Sequence, residues 1–153
     1  YEALCSRLHT FGEMAHKRGL TIGIRTAMPA AFSKRMLDDI NSSGIKIYYN
    51  FQDACDRFKA GHAPEAKTST QLICDELRAL GTRRVCQIHV SNTDSVTLRH
   101  DPYIDMLAVK KTLKKMRYRG WLTVERSRDA KNVRNVRANY GDNVANLKEI
   151  FGR

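Results

Sequence analysis

Two hydrophobic rhythms alternate along this chain. Apolar residues recur every three or four positions over residues 1–18, 32–41, 69–80, 106–117 and 138–151, which predicts five helices. Their apolar faces are Leu4, Leu8, Phe11 and Ala15; Phe32, Met36, Leu37 and Ile40; Leu72, Ile73, Leu77 and Leu80; Met106, Val109, Leu113 and Met116; and Val144, Leu147, Ile150 and Phe151. Gly19 and Gly81 stand where helices stop, Ser42-Ser43-Gly44 ends the second, and Asp105 is placed to cap the fourth. Between the helices, apolar residues fall at every second position over 20–24, 45–49, 84–90 and 121–125, the period of a strand. Residues 51–68 are the least regular, with a short helical turn expected at 53–58 and a mobile loop over 58–68.

The order α-βα-βα-βα-βα predicts an α/β fold with a parallel sheet. In each strand the aliphatic side is expected to face the helices: Ile22 and Ile24; Ile45 and Ile47; Cys86, Ile88 and Val90; Leu122 and Val124. The other side is mixed, with Gly23, Tyr48, Gln87, Trp121 and Thr123, and Val85 falls there too. Strands of a doubly wound sheet are apolar on both faces, so a mixed face fits the interior of a barrel. On that inner face the strands end in Arg25, Asn50, His89 and Glu125. Polar groups gathered at the carboxyl ends of barrel strands mark a site. A full barrel takes about 250 residues, so four units are the C-terminal half (last four strands) of a TIM barrel. Residues 1–153 are thus expected to be a single partial (β/α) barrel domain, with four further units before Tyr1. Its open edges favour self-association.

Composition narrows this only a little. The apolar fraction of 42% and charged fraction of 28% are ordinary for a globular chain. A net charge of +11 permits anionic ligands, but Lys and Arg are spread along the chain without interleaved aromatics. A solvated basic surface explains the charge, and nucleic acid is not expected as a partner. No apolar run approaches the roughly 20 residues a membrane helix needs. The start, Tyr1-Glu2-Ala3, shows no signal peptide and is what a piece of a longer protein would show. Cys5, Cys55, Cys74 and Cys86 form no C-x-x-C pair and read as reduced thiols, so a cytoplasmic location is expected.

The stretches 15–24 (AHKRGLTIGI), 45–54 (IKIYYNFQDA), 86–92 (CQIHVSN), 104–109 (IDMLAV) and 118–126 (YRGWLTVER) resemble the sugar phosphate isomerase/epimerase family, the xylose isomerase-like TIM barrels. The resemblance implies a divalent metal (Mn²⁺, Mg²⁺, Co²⁺ or Zn²⁺) at the barrel mouth, which polarises a carbonyl and hydroxyl of a small carbohydrate. By that resemblance, Asn50, His89 and Glu125 are the metal ligands, and Glu125 with His89 the catalytic pair for proton transfer next to the carbonyl. Substrate binding falls to Arg25, Asn92, Arg126 and Arg128. Asn50 stands where the family usually carries Asp. Arg25 stands where its first glutamate belongs. That arginine can neither offset a metal's charge nor accept a proton. The implied ligand charge falls from about −3 to about −1, and hard cations prefer anionic oxygen. Two readings follow: an isomerase/epimerase of weakened activity, or a noncatalytic carbohydrate-binding or assembly half-barrel in which Arg25 holds an anionic sugar group. A shifted register is a poor third, because no carboxylate lies between Leu20 and Ala31. Endonuclease IV-type repair enzymes share the barrel, but the histidine patterns of their zinc site are missing here.

Each residue also has a plainer role: His89 as a hydrogen-bonded barrel histidine, Glu125 as a salt-bridge partner of Arg25 or Arg126, Asn92 and Asp94 as loop caps, Trp121 as core. His9, His16 and His62 fall on surface positions, and His100 belongs to neither class.

Overall fold

The computed structural model describes residues 1–91, 98–125 and 136–152. The elements run α1 Glu2–His16, β1 Ile22–Ile24, α2 Ala30–Ile40, β2 Ile45–Asn50, α3 Phe51–Lys59, α4 Ser69–Leu80, β3 Val85–Ser91, a 3-10 turn Leu98–His100, α5 Met106–Lys115, β4 Trp121–Glu125 and α6 Val136–Phe151. The strands form one sheet in the order β1-β2-β3-β4, every pair parallel. Consecutive parallel neighbours joined by helices are the arrangement of half a TIM barrel. Alternation placed every element within a few residues; α3 departs most, nine residues where a short helical turn over 53–58 was expected, and α2 and α6 each begin two residues earlier.

The core lies between the sheet and the helices. Ile47, Ile73, Leu77, Ile88, Val90 and Val109 are each 2% exposed or less. In β3 the expected alternation breaks. Ile47 pairs with Val85 but Tyr48 pairs with Gln87, so Cys86 is an extra residue on β3. The bulge turns Val85 into the buried layer, and Cys86 lies beside Gly23 and Tyr48 on the inner face. Both residues were expected on the opposite sides.

Helix α1 keeps only part of its expected face: Leu8 packs against the core as foreseen. Cys5, Gly12 and Ala15 are buried, while Leu4 and Phe11 are exposed. Small residues let the helix approach closely: a Cβ added at Gly44, just before β2, would lie 2.0 Å from the Gly12 carbonyl oxygen. Trp121 is not core but 79% exposed, because β4 is the last strand of the sheet and nothing covers its inner side among the described residues. In α6 the buried residues include Asn143 and Asn146, while Val144 is exposed. Asn143 accepts the Leu98 N–H at 2.8 Å and so ties α6 to the 3-10 turn.

The four cysteines are free thiols, as expected. Among the described residues no helix is long and apolar enough to cross a membrane.

Candidate functional site

The carboxyl ends of the strands meet at one rim. Asn50 pairs in register with His89, Ser91 pairs with Glu125, and Arg25 directly follows β1. Parallel pairing therefore brings the four expected strand-end residues to the same end of the sheet, with Glu125 placed by its backbone. Asn92, Arg126 and Arg128 lie outside the described residues.

Arg25 is held by Asp53. Its Nε donates to Oδ2 at 3.0 Å and its Nη2 to Oδ1 at 2.9 Å, a bidentate charge-assisted pair. Asp53 sits in the first turn of α3, where a carboxylate also suits the helix dipole. The Arg25 side chain is 34% exposed and that of Asp53 12%. The chain pattern did not single out Asp53. The signal was present, since it stands three residues after Asn50 at the start of a helix that follows a site strand.

Asn50 has a structural task. Its Oδ1 caps α3 by accepting the Gln52 N–H at 2.8 Å, and it accepts the Ser91 hydroxyl at 3.1 Å. Both groups are buried, Asn50 at 3% and Ser91 at 2% exposure. Tyr48, two residues earlier on the same face, bonds through its hydroxyl to Nδ1 of His89, and the two rings meet edge to face. The phenol fixes the imidazole plane, as a bonded ring nitrogen does for any working histidine. Gly23 leaves room for this pair: a Cβ there would lie 3.2 Å from Tyr48 Cβ and 3.0 Å from Cys86 Sγ. Deeper on the inner face, Gln87 Nε2 donates to Thr123 Oγ1.

Beneath the rim lies a buried ionic cluster that the sequence did not announce. Glu76 of α4 accepts from the Ala30 N–H at 3.0 Å, from the Tyr49 hydroxyl at 2.8 Å and from Arg57. Arg57 also donates to the Ala27 carbonyl at 2.6 Å. Glu76 is 6% exposed. The cluster pins the loop after β1, and with it Arg25, against α3 and α4. Burial, and then the charge of Glu76, hold Tyr49 protonated well above the usual tyrosine range.

Four parallel strands with polar residues at their carboxyl ends define half of a TIM-barrel active-site face. The match to known proteins agrees: residues 1–150 fit the family model "Xylose isomerase-like TIM barrel", and the chain belongs to that family. Among solved structures, an L-ribulose 3-epimerase superposes with a TM-score of 0.70 at 16% identity, over 97% of this chain and 52% of that one. The chain thus spans about half the length of that protein. No curated protein matches it.

The family is generally metal-dependent, and the donors present can be tested against that. His89 suits a ligand role, because Tyr48 orients its ring. Asn50 does not, because its oxygen already accepts two hydrogen bonds. Arg25 brings a fixed positive charge to the rim, and it occupies both oxygens of Asp53. Among the described residues no three His, Cys, Asp or Glu side chains are close enough to share a metal ion. The described side chains at the mouth do not by themselves make up a metal-ligand set.

Proposed function

We propose that the chain is the C-terminal half of a sugar isomerase/epimerase-type protein acting on a small carbohydrate, by proton transfer at the carbon beside its carbonyl. The observation that supports this is the convergence of Arg25, Asn50, His89 and Glu125 at the carboxyl ends of four adjacent parallel strands. In this reading Glu125 moves the proton. His89, oriented by Tyr48, bonds the sugar oxygen where charge develops. Arg25, Asn92, Arg126 and Arg128 hold the remaining oxygens. The metal of the family, whether Mn²⁺, Mg²⁺, Co²⁺ or Zn²⁺, would supply Lewis-acid polarisation of the carbonyl through Asn50, His89 and Glu125; the described donors do not favour it, and no step is assigned to it.

The test is solvent deuterium exchange. Ketoses incubated with the chain in heavy water should incorporate deuterium at the carbon next to the carbonyl. Exchange should fall by about a hundredfold or more in Glu125→Gln, the usual weight of one acid/base group. Equal exchange in that variant would remove Glu125 from the role.

A second reading, a noncatalytic carbohydrate-binding half-barrel, is favoured by the Arg25–Asp53 pair, which takes a carboxylate out of proton transfer. Sugar binding without any exchange would select it.

A further inference from the structure

We infer that the Arg25–Asp53 ion pair takes the place of the divalent cation at this mouth, so that carbohydrate binds here independently of metal. The inference rests on the carbohydrate reading above and adds to it the kind of group that meets the sugar oxygens.

Three features of the rim carry it. Asp53 is a carboxylate in the first turn of the helix that follows β2, and both of its oxygens are bound by Arg25, at 3.0 and 2.9 Å. A metal ion recruiting Asp53 would have to break a bidentate pair and then sit beside the released guanidinium, which cannot lose its proton. Next, Asn50 Oδ1 is the first acceptor of α3, and its second bond goes to a hydroxyl that is 2% exposed. Turning that oxygen toward an ion would uncap the helix and leave a buried hydroxyl without its acceptor. Finally, the pair is preorganised. The loop that carries Arg25 is tied by Glu76 to Ala30 and by Arg57 to Ala27, and Asp53 sits on a capped helix. A positive fork braced against a carboxylate offers sugar hydroxyls and a carbonyl both donors and acceptors in fixed geometry, the service a hydrated cation otherwise supplies.

Calorimetry with Mn²⁺ alone, and with L-ribulose and D-fructose in excess EDTA or in Mn²⁺, tests this on the whole chain. The unmodified chain should give no Mn²⁺ binding in the micromolar range. Its sugar affinity should be the same within about twofold with EDTA as with Mn²⁺. Arg25→Met should weaken sugar binding by about tenfold or more without creating metal affinity. Arg25→Glu, which adds a carboxylate and removes the cation, should acquire Mn²⁺ binding. Micromolar Mn²⁺ binding by the unmodified chain, or sugar binding that EDTA abolishes, overturns the inference and leaves the carbohydrate reading intact. If neither sugar binds under any condition, the carbohydrate reading fails, and the Mn²⁺ arm still decides whether the pair excludes metal. Circular dichroism of each variant separates loss of binding from loss of fold.

Discussion

Arg57→Met should be one of the most damaging single substitutions away from the rim. The Arg57 and Glu76 side chains are 11% and 7% exposed, so neither charge has water to fall back on. Removing one partner of a buried pair typically costs about 3–5 kcal/mol, because the other charge stays buried and uncompensated. Here the Ala30 N–H and the Tyr49 hydroxyl still donate to Glu76, which favours the lower end, about 3 kcal/mol. Losing the bond from Arg57 to the Ala27 carbonyl adds about 1 kcal/mol at most. With a urea slope of about 2 kcal/mol/M, the midpoint should fall by about 1.5–2 M. The assay is equilibrium urea unfolding by circular dichroism, completed as a double-mutant cycle with Glu76→Gln. A coupling of about 2 kcal/mol or more is expected, since the residues share one cluster. A midpoint shift below about 0.5 M would refute the reasoning, because the pair would then behave like an exposed one. The same substitution releases the Ala27 part of the loop after β1, so sugar affinity should fall further than in a variant of equal stability loss elsewhere.

Other consequences are more local. Tyr49 is held protonated above its ordinary pKa of 10.0, so its stabilisation is complete below pH 10 and drains away as pH rises beyond it; Tyr49→Phe should lose about 1 kcal/mol at neutral pH yet show a shallower alkaline decline in urea melts. Burial, helped by the charge of Asp101, pushes the Cys55 thiol up to about 12, so it should resist a thiol reagent at about pH 8 until urea unfolds the chain. Gly44→Ala should cost about 3 kcal/mol in the same melts, since the new methyl meets backbone rather than a movable side chain. At the open edge, Trp121 is 79% exposed, and sedimentation should show concentration-dependent association that Trp121→Glu suppresses; identical sedimentation of the two proteins would remove the edge as the cause.

What was legible in the sequence, and what was not, divides along physical lines. Helix α4 was placed to the residue at 69–80, because Thr68 caps its start, Gly81 at φ +71° ends it, and its apolar spacing is regular. The strand ends were equally plain: parallel register follows from the order of units, and it carries Asn50 to His89. The errors came where large apolar side chains were taken to be the buried ones. Helix α1 buries Cys5, Gly12 and Ala15 because small residues allow it to pack tightly on the start of β2, and its larger Leu4 and Phe11 stay outside. Alternation in β3 failed at Cys86 because a bulge depends on the partner strand, which no local pattern reports. The site shows the same division in sharper form. Arg25 was visible as an odd residue at a strand end, but the meaning of that arginine lies in Asp53, 28 residues away. Glu76 lies a further helix along, and it holds the loop that aims the pair. Periodicity says which side of an element leaves water; it does not say which polar groups meet once the elements stack. At this rim those meetings decide the chemistry. In the proposed reading, a guanidinium alone would favour an anionic sugar group, whereas one whose charge is balanced by Asp53 would present directional donors and acceptors to hydroxyls and a carbonyl.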